Sequence, residues 1–429
     1  MGLLDQLVDE TQNGWEYDRA AQIDAVRHKL QHPPKHLEAD ENGVMQFVKN
    51  PLLIAENVED VLRLDPWFRS RLRFNSFAGV VEWRGKLLKD EHVTGIRMAM
   101  SRTYKLRASL ALTHEIVIFT ARKLAYHPIK EWLTGLRWDG VKRIDKLLTN
   151  YAGCEDSGLH DTLSRRFMVS CVARVMDPGC KVDTVLILAG PQGYGKSTFF
   201  RALAGPDYFR DSAIDLRNKD AYMALRGAWI YEMAELAAMR PRDAETVKAF
   251  LSAQIDHFRP PYGRNQVEQP RQVVFVGTTN EPSFLGDPTG ARRFWPAEVR
   301  SMPKVVEVER DRDQLWAEAV EAFNDNERWW LEVNEDDALT EAHEQYRHED
   351  PWAPKVERWL DLPTSPKGFT IEEVLNAAIE KDGDKQNKAD EMRIGGVLTA
   401  MGYERRRVQF DGRRVYRWHK RTRVLNPDE

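Results

Sequence analysis

Apolar and polar positions change period several times along the chain, and those changes mark its segments. Residues 1 to about 40 are charged with helical spacing and break at Pro33-Pro34, which predicts a charged helical arm over 1–42 with little core of its own. From 43 to 125, short mixed runs such as Gly79-Val80-Val81-Glu82-Trp83 predict a small α+β domain with no catalytic constellation. Tyr126-His127-Pro128 introduces amphipathic spacing over 129–148, with Trp138-Asp139-Gly140 as an internal turn, and a helical run over 159–175 follows; together they predict a helical collar or linker over 126–181. The apolar runs 184–189, 228–231 and 272–277 are short and nearly unbroken, as strands buried on both faces are. With helical spacing between them they predict an α/β core over 182–305. Residues 306–354, rich in Trp, Glu and Ala, predict a helical extension, and Pro351, Pro363 and Pro366 lead into a last domain over 355–429. There, Thr370-Ile371-Glu372-Glu373 reads as a capping box opening one helix, a second helix spans about 389–401, and Asp411-Gly412 joins two alternating segments into a hairpin. Two helices and a basic hairpin predict a winged helix.

Composition narrows the class without naming an activity. A chain of 429 residues that is 42% apolar and 30% charged suits a protein of two or three globular domains. No stretch has the apolar length of a membrane span. The start, Met1-Gly2-Leu3-Leu4-Asp5-Gln6, is unlike a signal peptide and lacks the Ser or Thr of a myristoylation signal at position 6. Cys154, Cys171 and Cys180 form no C-x-x-C pair, so neither a disulfide framework nor a zinc site is expected, and a cytoplasmic location fits. The net charge of −4 gives no overall sign of nucleic-acid binding, but charge is unevenly spread. Arg405, Arg406, Arg407, Arg413, Arg414, Arg417, Lys420, Arg421 and Arg423 face only Glu404 and Asp411 near the C-terminus.

The sharpest chemical signal is Gly190-Pro191-Gln192-Gly193-Tyr194-Gly195-Lys196-Ser197-Thr198, a G-x-x-x-x-G-K-S phosphate loop between a strand and a helix. Glycines let backbone N–H groups turn toward a triphosphate, and the helix N-terminus adds partial positive charge. Lys196 is expected on the β- and γ-phosphates of ATP, and Ser197 on Mg²⁺. Glu232, ending the next apolar run, is expected in the magnesium shell, and Glu235 is expected to activate water; the E-x-x-E spacing leaves those roles exchangeable. Asn280, just past the third run, is a candidate γ-phosphate sensor. Arg292 and Arg293 are candidate arginine fingers for a neighbouring subunit, a role that contributes about 10³-fold or more to turnover. Lys248 and the stretch Arg259-Pro260-Pro261-Tyr262-Gly263-Arg264 predict a helix and a turned hairpin whose arginines and tyrosine suit a single strand.

In that order these motifs resemble a superfamily 3 helicase-type AAA+ core, and more closely the virulence-associated protein E family of phages, prophages and phage-related islands. The resemblance rests on Tyr126-His127-Pro128, Trp138-Asp139-Gly140, 174–181, the phosphate loop, 229–236, 259–264, 277–281 and 287–296, strongest over about 120–300. It implies a ring-forming, hexameric, DNA-dependent ATPase of DNA replication, with Lys248, Arg259, Tyr262 and Arg264 toward DNA in a central pore. No acidic polymerase triad accompanies it, so primer synthesis is not expected. In the last domain, Arg393, Arg406, Arg413 and Arg414 are candidate contacts to duplex phosphates. The leading expectation is therefore an ATP-driven helicase or translocase on single- and double-stranded DNA. The alternatives are a DNA-binding initiator whose ATPase is regulatory, and a host-interference protein that binds a replication partner.

Overall fold

A computed structural model describes residues 16–31, 37–39, 45–47, 50–214, 221–234, 244–258, 266–281, 291–344, 346, 350–364, 366, 368–410 and 413–420. These fall into two compact units, one running to His343 and the other starting at Glu344.

At the centre of the first unit lies a five-stranded sheet. Its strands are β1 (Val185–Ala189), β2 (Phe209–Arg210), β3 (Ile230–Ala234), β4 (Val274–Thr279) and β5 (Phe294–Glu298). They lie in the order β5-β1-β4-β3-β2, and every neighbouring pair is parallel. The unit is thus α/β with a parallel sheet, and all of β1 is buried. Alternate side chains serve different cores. Leu186, Leu188, Ile230, Val274 and Val276 join the main core with helices α1 (Gly158–Met176), α2 (Lys196–Ala204) and α3 (Val305–Asn324). Phe275 instead meets Tyr231 and Phe250, ring centroids 6.3 and 5.5 Å away.

The expected linker and helical extension prove to be parts of this core. Ile129, Leu133, Leu147, Phe167 and Val172 are buried in it. Trp316 of α3 stacks on Trp229 at 4.3 Å and donates its indole N–H to the Leu203 carbonyl. Eleven residues of α1 are buried, so the helix has no single apolar stripe, and that absence made it read as a connector.

The N-terminal part combines helices with a small sheet of its own. A four-stranded sheet (Leu72–Asn75, Val80–Trp83, Lys86–Leu87, Ala125–Tyr126) packs with helices around Val61, Phe68, Trp83, Met100 and Val117. Helix Glu16–Lys29 is not a free arm: Val26 and, just past its end, Leu30 enter the same core. Arg19 pairs with buried Asp65, which also accepts from the Tyr104 hydroxyl at 2.8 Å. This part docks on the main core beside the strands Ile255–Phe258 and Val267–Pro270. The Arg226 guanidinium donates to the Gly79 carbonyl and Gln269 Nε2 to the Phe77 carbonyl.

In the second unit, helices Ala353–Leu360, Ile371–Ala377 and Lys388–Ala400 pack with a hairpin, Tyr403–Phe410 and Arg413–Lys420, around Val356, Phe369, Leu375, Ile394 and Leu398. The capping box forms: Glu373 N–H donates to Thr370 Oγ1, and Thr370 N–H to the Glu373 carboxylate. The first helix is additional to the expected pair. Asp411-Gly412 lies outside the described residues.

Candidate functional site

A glycine-rich turn joins β1 to α2. Gly193 and Gly195 stand at φ +84 and +85, the left-handed region that glycine adopts without a steric cost. Gly190 passes so close to Val299 that a Cβ would lie 2.8 Å from its carbonyl oxygen. Inside this turn Lys196 Nζ donates to the carbonyls of Gly190 and Pro191 at 2.7 and 2.9 Å, and to Asn280 Oδ1 at 2.9 Å. Lys196 is 6% exposed, and burial pulls its pKa below the usual lysine value while the Glu232 charge acts the other way.

Sheet order explains why these residues meet. Because β4 lies between β1 and β3, Asn280 emerges beside the loop. Pairing of Val276 with Glu232 sets Thr278 diagonally next to that carboxylate. Glu232 Oε1 accepts from the hydroxyls of Ser197, at 2.8 Å, and Thr278. Glu232 is 3% exposed, and its other oxygen, Oε2, has no hydrogen-bond partner among the described residues. A glycine-rich loop at a helix N-terminus, with one ammonium, suits an anion. Two hydroxyls and a carboxylate oxygen without a partner suit a hard divalent cation, whose remaining ligands would come from water or phosphate. Among the described residues no group of three His, Cys, Asp or Glu could hold a metal by itself.

The other predicted residues are placed as follows. Gln192, Gly193 and Thr198 are exposed, and Tyr194 is half-buried against the core. Glu235, Arg259, Tyr262 and Arg264 lie outside the described residues; the strands leading to and from 259–264 pair antiparallel, as a hairpin requires. Lys248 is buried rather than offered to solvent, because its helix packs Val247, Lys248 and Leu251 inward. Arg292 is exposed, while Arg293 lies 3.3 Å from Asp183 within the same chain. The register Phe294 to Val185 sets both arginines at the amino end of β1. Lys196 follows its carboxyl end, roughly 15 Å along the strand by the usual rise per residue. In the second unit, Arg393 forms a two-pronged pair with Asp350 at 2.8–3.1 Å and covers the Trp352 ring at 4.2 Å. Arg406 pairs with Glu404, Arg414 is exposed, and the Arg413 side chain lies outside the description.

Thr278 was not foreseen, since its role depends on a strand neighbour. Nor was the buried pair of Arg271, three residues before β4, and Asp256 (2.6 Å), which ties the hairpin base to Phe250.

Fold and cluster together define an α/β protein with a polar site at the carboxyl ends of a parallel sheet, the usual place for a ligand in such sheets. Residues 133–348 match the virulence-associated protein E-like domain, and the chain belongs to that family. Solved structures similar to it include the A form apo structure of the NrS-1 C-terminal region, at TM-score 0.45 and 12% identity, covering 82% of this chain and 94% of that one. A second A form structure of that region gives 0.43, 13%, 81% and 96%. The apo structure of NrS-1 residues 305–718 gives 0.38, 15%, 67% and 77%. No curated protein sequence matches this chain.

Proposed function

We propose that this protein is an ATP-dependent DNA helicase or translocase of a phage or mobile element, acting in DNA replication as a ring, with a P-loop AAA+ core and a C-terminal winged helix. The observation that carries the reading is the cluster of Lys196 and Ser197 at the start of α2, Glu232 within β3 and Asn280 just past β4, with Lys196 bonded to Asn280 and Ser197 to Glu232. The virulence-associated protein E-like domain over residues 133–348 supports the replication part of the reading.

Bound ATP with Mg²⁺ would supply the phosphoanhydride bond whose hydrolysis drives movement. The loop N–H groups of 190–197 would hold its phosphates. Lys196, now on two carbonyls and Asn280, would exchange them for phosphate oxygens. Ser197 and Glu232 would ligate the cation, with the unpartnered Glu232 Oε2 as the free donor. Asn280 would orient water, with Glu235 as the candidate base. Arg292 is exposed and set away from its own chain's loop, which suits a finger for the next subunit's nucleotide. The hairpin rising from Ile255–Phe258 and Val267–Pro270 would carry Arg259, Tyr262 and Arg264 to the strand.

The basic C-terminal hairpin also favours a second reading, an initiator whose ATPase governs assembly. Steady-state ATP hydrolysis with and without single-stranded DNA, alongside unwinding of a forked duplex, separates them. A helicase shows DNA-stimulated hydrolysis and unwinding, and an initiator shows hydrolysis alone. Absence of hydrolysis in both conditions would sink either motor reading.

A further inference from the structure

The C-terminal hairpin sorts its charges by face. Its strands carry Arg405, Arg406, Arg407, Arg413, Arg414, Arg417 and Lys420 against one acid, Glu404. Side chains alternate along each strand, and directly paired residues share a face. On one face Arg406 lies opposite Arg417, and both are neutralised. Arg406 pairs with Glu404, while Arg417 is buried with two hydrogen bonds to Glu373 (2.7 and 2.8 Å) and one to the Gly368 carbonyl. The other face holds the pairs Arg405 with Trp418, Arg407 with Tyr416, Gln409 with Arg414, and Tyr403 with Lys420. Arg405, Arg407, Arg414 and Lys420 are all exposed there, and none has a carboxylate partner among the described residues.

In the middle of that face stands Tyr416, a large ring left 52% exposed. The guanidinium carbons of Arg405 and Arg407 lie 4.3 and 5.9 Å from its centroid. At the base of the same face Trp418 packs into the domain core and its strand bridges to Phe369, which holds the ribbon in place.

We infer that this face is a binding site for single-stranded nucleic acid, with Tyr416 stacking an unpaired base and Arg405, Arg407 and Arg414 meeting the flanking phosphates. Duplex DNA would need only the charges. The exposed ring specifies a strand whose base faces are free. The inference extends the DNA-contact part of the function proposed above and replaces Arg393 and Arg406, both already held by carboxylates, with residues of the opposite face. Binding needs no nucleotide, so it stands apart from the ATPase reading.

The test is fluorescence anisotropy of the full-length protein without nucleotide, on labelled oligo-dT, oligo-rU and a duplex, each about 20 units long to exceed one site of this kind. Tyr416→Ala should weaken oligo-dT binding about ten-fold and leave duplex binding within about two-fold, as expected when one base loses its stacking partner. Tyr416→Phe should retain affinity, because the ring and not the hydroxyl stacks. Arg407→Ala should lower the slope of log affinity against log salt by about 0.7, one single-strand phosphate contact, whereas Arg406→Ala should leave it unchanged. Oligo-rU following oligo-dT in this series identifies a site indifferent to the sugar; loss confined to one of them names the strand bound. The inference is overturned if Tyr416→Ala changes neither strand, if it weakens duplex equally, or if Arg406→Ala costs as much as Arg407→Ala.

Discussion

Replacing Glu232 by Gln should make the empty protein no less stable while removing its response to magnesium. Glu232 is 3% exposed, with Oε1 holding two hydroxyls and Oε2 without a partner among the described residues. A buried polar atom without a partner costs about 1–3 kcal/mol, and more when it belongs to an ionised group. Glutamine keeps an acceptor for Ser197 and Thr278 and puts a neutral amide where the unpartnered oxygen stands. Against that gain, Lys196 loses a favourable opposite charge. The net expectation is between no change and about 1 kcal/mol of stabilisation, a rise of at most roughly 2–4 °C in the unfolding midpoint. With nucleotide the order reverses. Wild type at about a hundred times its dissociation constant should gain roughly 2.7 kcal/mol from a ligand bound only when folded. In the variant, ATP with magnesium should stabilise no more than ATP with EDTA, and hydrolysis should fall by at least about a hundred-fold, the scale of misplaced catalytic groups. Thermal unfolding of both proteins, empty, with ATP and EDTA, and with ATP and Mg²⁺, reads all of this. A drop of several degrees in the empty variant would make Glu232 a structural residue. An undiminished magnesium effect would remove it from the cation site.

Other outcomes follow from the same packing. Arg271→Met strands Asp256, which is 5% exposed, and should cost about 3–5 kcal/mol in urea unfolding, much of it recovered in Arg271→Met with Asp256→Leu; a cost under about 1 kcal/mol would show the pair to be idle. Thr278→Val takes one donor from Glu232 and should lower kcat with KM nearly unchanged, whereas a rise in KM alone would mean that Thr278 only helps binding. Burial pushes the thiols of Cys180 and Cys154 up to about 11 and about 12, and that of Cys171 higher still. At pH 8 only about one Cys180 in a thousand is thiolate, so a disulfide reagent should react fast with all three only after denaturation. Rapid reaction of a native thiol would contradict that burial.

What the sequence disclosed and what it hid divide along the length scale of each signal. The 190–197 loop, its flanking strand and helix, and Asn280 were legible because each is a local pattern whose backbone needs are fixed by glycine or by a strand end. Thr278 was not, because its value lies in a diagonal neighbour on β3 that only sheet order supplies. Residues 126–181 read as a linker because a buried helix such as α1 lacks a polar face to show its direction. Lys248 misled by its charge, since its helix turns that side chain inward. The C-terminal arginines were visible as a total. Which of them are neutralised depends on strand pairing and on neighbours such as Glu404 and Glu373, which charge counting along the chain does not show.

Lys196, Ser197, Glu232 and Asn280 are proposed to form one ATP-hydrolysing site. Magnesium-dependent release of phosphate from ATP, compared between wild type and Lys196→Ala at equal folded concentration, tests it most directly. Wild type should turn ATP over, faster with single-stranded DNA, and the variant should fall to background while its unfolding midpoint without nucleotide stays within a few degrees. Equal hydrolysis by the two proteins, or none by wild type, would rule that site out.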